Sequence, residues 1–151
     1  MPAWLLLPLL LLVAAGCGSS AEQEAADSAS ITAALEAYLP VLGEAYADGE
    51  IERLRPYAAE KELARIHALV QDMVDQGRYL VPEFKSLAIE ELETWNNSNA
   101  FVTTVENWDL RLYALGSSQL LSEHLDQSYR VQYQLKRGDE GWRVLFRGIQ
   151  E

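Results

Sequence analysis

Few side chains in this 151-residue sequence have the chemistry of a nucleophile, a metal ligand or a proton carrier. There is one cysteine, Cys17, and there are two histidines, His67 and His124. His124 stands in Ser122-Glu123-His124-Leu125-Asp126, and flanking carboxylates raise an imidazole pKa toward working pH. That makes it a candidate ligand or proton relay; the plainer reading is a solvated loop histidine. His67, beside Ile66 and Leu69 in a helical pattern, reads as a surface or half-buried side chain. Two histidines without a spaced set of carboxylates do not make a metal site, so no metal is expected. No Gly-x-Ser-x-Gly elbow, phosphate loop or dinucleotide fingerprint is present, so neither nucleophilic catalysis nor a cofactor is expected.

General acid–base chemistry is the remaining option. In an extended segment Asn107, Asp109 and Arg111 share one face, and Trp108, Leu110 and Leu112 share the other. With the polar face inward, Asp109 and Arg111 would line a pocket as acid and anchor. With the apolar face inward they form a surface charge pair worth ~0.5 kcal/mol. Burying Trp108 and two leucines contributes roughly 1.5–3 kcal/mol each, which favours the second arrangement. Asp109, Arg111 and His124 are therefore the candidates, and no catalytic residue is assigned. Some tyrosines among Tyr38, Tyr46, Tyr57, Tyr79, Tyr129 and Tyr133 are expected in the core and others at a pocket mouth with their hydroxyls in water.

The elements that position these residues follow from periodicity. Ser30 is a plausible N-cap for a helix carrying Ile31, Leu35, Tyr38, Leu39, Leu42 and Tyr46, with a kink or break expected at Pro40 and an end at Asp48-Gly49. A short helix is expected over 51–57 and a longer one over 59–76, ending at Gly77. The period then changes from 3.6 to 2. Strands are expected over 79–94, with a bulge near Glu90-Glu91, over 101–115, over 129–136 and over 142–149. Residues 116–126 read as a loop, and Asn96–Asn99 and Gly138–Gly141 as turns. Helices followed by hairpin-connected strands predict an α+β domain with N-terminal helices packed on a curved four-stranded antiparallel sheet, a cone with one open end.

Residues 1–16 carry no charged side chain and include the apolar run from Leu5 to Val13. That is too short to span a ~30 Å hydrocarbon core and suits a signal peptide. Ala14-Ala15-Gly16-Cys17 resembles a bacterial lipobox, in which the thiol is acylated and cleavage leaves the cysteine first. The resemblance implies a lipid anchor on Cys17 and a cell-envelope location. Gly18 in place of an aspartate leans toward the outer membrane, facing the periplasm, in a Gram-negative cell. Residues 18–29, GSSAEQEAADSA, offer nothing to bury and read as a flexible tether. The expected organisation is thus a signal peptide over 1–16, lipidated Cys17 and tether over 17–29, and one domain over 30–151.

Twenty-three acidic residues against twelve basic ones, a net charge of −11, exclude a nucleic-acid partner, which phosphate repulsion would drive off. The apolar fraction of 49% excludes a disordered chain. Gly77-Arg78-Tyr79, Lys85–Ile89, Tyr129–Leu135 and Gly141-Trp142-Arg143-Val144 together resemble the intermembrane-space domain of plastid-division proteins, a branch of the nuclear-transport-factor-2-like superfamily. That resemblance implies a non-catalytic module that binds a protein or peptide in a pocket or groove. The same superfamily includes isomerases and cyclases that use the cone interior, so a small-molecule site is the alternative.

Overall fold

The computed structural model describes residues 20–150. Helix α1 (Ser20–Asp48) is followed by a short 3-10 turn (Ile51–Leu54) and helix α2 (Glu60–Asp75). Four strands then run in sequence order as one antiparallel sheet: β1 (Arg78–Trp95), β2 (Asn99–Ala114), β3 (Leu120–Gly138) and β4 (Gly141–Ile149). This is the α+β architecture expected from the pattern, two helices packed on a curved open sheet.

The core lies between helices and sheet. Ile31, Leu35, Tyr38, Leu39, Leu42 and Ala45 recur at three and four along α1 and are all buried, as are Leu63, Ile66 and Val70 on α2. They meet Val102 and Trp108 of β2, Val131, Tyr133 and Leu135 of β3, and Trp142 and Val144 of β4. The alternation of Val131, Tyr133 and Leu135 with exposed Arg130, Gln132, Gln134 and Lys136 gives β3 one dry face and one wet face. The segment between the helices is tied to β4. The Val144 N–H donates to the Tyr57 carbonyl and the Ala59 N–H to the Val144 carbonyl, each at 2.8 Å, and the Arg143 guanidinium donates to the carbonyls of Arg55 and Ala58.

Three differences from the sequence reading have physical causes. First, the tether expected over 17–29 is, from Ser20 onward, the first turns of α1. Asp27 is buried because Arg137 of β3 forms an ion pair with it, and Ser30, one turn on, accepts a 3.1 Å hydrogen bond from the Trp142 indole. The sheet thus holds the helix at Asp27 and Ser30, and the exposed Ala, Glu and Gln residues of 21–26 are good helix formers that continue it outward. Second, α1 passes through Pro40 unbroken. Proline removes the bond to the Glu36 carbonyl, but both residues are exposed, so water can take that place. Third, the loop expected over 116–126 is mostly strand: β3 begins at Leu120 and pairs with β2 from Tyr113 downward. Register shifts at Leu121 and at Leu125-Asp126 break the period-two pattern there. The bulge expected near Glu90 is present, and a second one lies at Lys85.

Helix α1 crosses β1 at Gly43, where a Cβ would sit 2.6 Å from the carbonyl oxygen of Pro82. That oxygen belongs to the backbone and cannot swing aside. Gly43→Ala therefore forces α1 off the sheet, an overpacking cost of about 1–3 kcal/mol against roughly 1 kcal/mol of helix propensity gained. We expect a lower thermal unfolding midpoint for this variant; a midpoint equal to or above wild type would contradict the close crossing.

Candidate functional site

The inner face of β2 carries Val102, Thr104, Glu106, Trp108 and Leu110 in succession, so a carboxylate lies in the middle of an apolar stripe. Glu106 has no solvent exposure. Its Oε1 accepts from the Thr104 hydroxyl at 3.2 Å and from the Tyr133 hydroxyl. Its Oε2 accepts from the Trp108 indole at 2.9 Å and from Arg147 Nη2 at 2.6 Å. Arg147 Nε donates to the Tyr133 hydroxyl at 3.0 Å. Four donors on two oxygens use essentially all the lone pairs of a carboxylate, so Glu106 has no acceptor position left for a substrate proton. Burial by itself would pull the Arg147 pKa down; Tyr133 and Glu106 beside it more than reverse this, and the net direction is upward. Burial pushes the Tyr133 phenol up, so it remains a neutral donor.

A second buried carboxylate lies on α2. Glu62 is paired in a two-pronged geometry with Arg65, at 2.9 and 2.5 Å. Tyr38 lies within the electrostatic reach of both pairs, and its buried hydroxyl has no hydrogen-bond partner among the described residues. Burial first, then Glu62, pushes the Tyr38 pKa far up.

Beside this network a cavity of about 240 Å³ is lined by Leu42, Tyr46, Met73, Leu80, Trp108 and Leu110, with Arg147 as its charged wall. A wider cleft of about 620 Å³, shared through Tyr46, Met73 and Leu80, runs from it toward Asp48 and the β2–β3 turn at Gly116–Ser118. Arg147 engages Nε and Nη2 internally, and no described residue accepts from its Nη1. The cone thus presents apolar walls and one cation, an arrangement suited to holding an apolar group with a negative or carbonyl end.

The three residues singled out from the sequence lie elsewhere. Trp108 faces the core, so Asp109 and Arg111 face the outer side of the sheet. Asp109 Oδ1 accepts from the Asp126 backbone N–H at 2.8 Å, and Oδ2 is 3.0 Å from Lys85 Nζ. Arg111 pairs with Glu123 at 2.7 Å and Glu83 at 3.3 Å. His124 is exposed opposite Leu110 in the ladder, and its imidazole forms no hydrogen bond or ion pair with a described residue. Cys17 and segment 1–16 lie outside the described residues. Asp109 instead serves the backbone: Lys85 is the bulged residue of β1, Leu125 and Asp126 are the bulged residues of β3, and Asp109 holds both from the strand between. Among the described residues no cluster of His, Cys, Asp or Glu could hold a metal ion.

The sequence reading passed over Glu106, Thr104 and Arg147. Glu106 was findable as a charge in the same register as Trp108. Arg147 was hidden, because counting by two from Trp142 places it outside; a bulge at Leu145 shifts the phase and turns it in.

Two predictions follow from these contacts. Glu106→Leu strands Arg147 without its counter-charge and is expected to cost about 3–5 kcal/mol in urea unfolding, with most of it recovered in Glu106→Leu/Arg147→Met. A single variant as stable as wild type would show that the pair carries no weight. The Asp126 N–H and then Lys85 hold the Asp109 carboxyl below its ordinary range, so its charge stabilises the fold above about pH 4, and that contribution is lost as pH falls. Asp109→Asn should therefore unfold at a lower temperature than wild type at pH 7, with the gap closing in acid; a pH-independent gap would contradict this.

The comparisons agree with the fold. The intermembrane space region of chloroplast protein ARC6 superposes with a TM-score of 0.69 at 13% identity, covering 80% of this chain and 94% of that one. A periplasmic fragment of TraM superposes at 0.52 and 15% identity, covering 88% and 98%. A ketosteroid isomerase-like protein from Erwinia carotovora atroseptica does so at 0.52 and 14%, covering 79% and 91%. No curated protein matches the sequence. Among the described residues no helix is long and apolar enough to cross a membrane. The model of the ARC6-like IMS domain matches residues 41–145, more than half of the chain, from the last turns of α1 to the middle of β4, and the chain belongs to that family.

Proposed function

We propose that this protein is an envelope lipoprotein, held on a membrane by acylated Cys17, whose cone-shaped domain binds a segment of a protein or peptide partner without catalysis. The observation that carries the binding reading is the cavity beside Arg147 opening into the wider cleft along α1, α2 and the start of β1. The cavity has apolar walls for one or two side chains, and the cleft extends them into a track with room for extended chain. Glu106, the one carboxylate on the inner face of β2, is saturated, which argues against a base in the cone. Family membership supports an envelope-space setting, since the IMS domain of ARC6 is named for such a compartment. The lipobox supplies the anchor. A small-molecule ligand is the second reading, favoured by the modest volume of the inner cavity and its single cation.

A photocrosslinking amino acid placed at Met73 in the cleft, with exposed Gln132 on the outer face as control, separates these readings in intact cells. The proposal predicts a discrete protein adduct from position 73 that is absent from position 132 and lost with Leu80→Glu. A small mass increment on the domain in place of a protein adduct would favour the second reading. Identical adducts at both positions, or none, would contradict a binding cleft.

A further inference from the structure

The domain has two unlike ends. At one, α1 begins and the β1–β2 and β3–β4 turns lie side by side: the Arg137 backbone N–H donates to the Ser98 carbonyl at 2.7 Å, and its guanidinium pairs with Asp27. At the other, α1 ends at Asp48, where the cleft meets Gly116, Ser117 and Ser118. Along α1, the 21 residue steps from Asp27 to Asp48 separate the turns from the cleft mouth by about 32 Å.

We propose that the first end rests on the lipid surface that holds Cys17, through Trp95 and Phe101, so that the cleft is presented away from that membrane. This inference rests on the reading of Cys17 as acylated. Two residues, Gly18 and Ser19, separate Cys17 from Ser20, and the three Cα–Cα steps reach at most about 11 Å. Seven more residues of α1, about 10 Å, lead to Asp27 beside the two turns. The turns are therefore confined to within about 20 Å of the lipid-bearing residue, whereas the cleft mouth stands up to about 50 Å from it. A flexible twelve-residue tether would have left orientation free; a chain already helical at Ser20 and clamped by Arg137 at Asp27 restricts it.

The surface at that end suits a bilayer interface. Trp95 and Phe101 are 39% and 47% exposed, with ring centroids 5.1 Å apart. The turn between them, Asn96-Asn97-Ser98-Asn99, carries no charge. Aromatic side chains flanked by uncharged polar groups partition to the headgroup region. Exposed Glu93, Asp139 and Glu140 outnumber the exposed Lys136 opposite Asn99, and with a net charge of −11 they disfavour anionic lipid, so the matching surface is zwitterionic.

The test uses the full lipidated protein in phosphatidylethanolamine/phosphatidylcholine vesicles containing quencher-labelled lipid, with a fluorophore on Asp139→Cys or on Ser118→Cys. Acylation of Cys17 leaves the introduced thiol as the reactive one. We expect at least twofold stronger quenching at position 139 than at 118, reduced when Trp95→Ser is added. Equal quenching at the two positions, or stronger quenching at 118, overturns the orientation; no quenching at either would mean that the aromatic pair faces something other than lipid and overturns it as well. Flotation of the same protein with the vesicles, lost in Cys17→Ala, reports the anchor separately. Wild-type protein that fails to float overturns the lipoprotein reading, and this inference with it.

Discussion

A carboxylate with no exposure to solvent constrains everything around it. Glu106 sits on the inner face of the central part of the sheet, where an unpaired charge would be prohibitive, and the surrounding strands supply what it needs. Thr104 and Trp108 come from its own strand, Tyr133 from β3 and Arg147 from β4. For Arg147 to arrive, β4 must slip phase at Leu145, and for Tyr133 to arrive, β3 must hold its register with β2. The network thus specifies how three strands line up. It also leaves Arg147 as the charged wall of an otherwise apolar cavity, because the cation cannot leave its counter-charge.

The outer face of β2 shows the complementary device. Asp109 lies between the bulge at Lys85 and the bulge at Leu125-Asp126 and binds both, one through an ammonium and one through a backbone N–H. Bulges bend and twist the strand that carries them, and two of them on either side of one residue curve the sheet at a single level. The curvature wraps the sheet around α1 and opens the cone at the end where Tyr46, Met73 and Leu80 line the cleft. A charged residue at the second strand was thus a reasonable place to look for chemistry, but its work is on the backbone.

Much of this was legible in the sequence. The α1 and α2 stripes, the alternation of Val131, Tyr133 and Leu135, the bulge at Glu90 and the two tight turns are local signals, and they yield the α+β cone. What periodicity does not carry is what depends on contacts distant in sequence. Residues 20–29 look like a tether until Arg137, 110 residues beyond Asp27, is placed against them. Residues 120–126 look like a loop because two register shifts scramble the period of two. Arg147 looks exposed because one bulge lies between it and Trp142. Glu106 was visible throughout as a charge in the buried register, the kind of local contradiction that marks a specified core.

Acylation of Cys17 is the proposal on which the setting and orientation of the cone depend. The measurement that tests it most directly is the intact mass of the protein extracted from membranes of cells making the full chain, beside Cys17→Ala. The account predicts a chain that begins at Cys17 and carries acyl groups, with no acylated species in the variant. A chain that retains residues 1–16, or one with an unmodified thiol at Cys17, would contradict it.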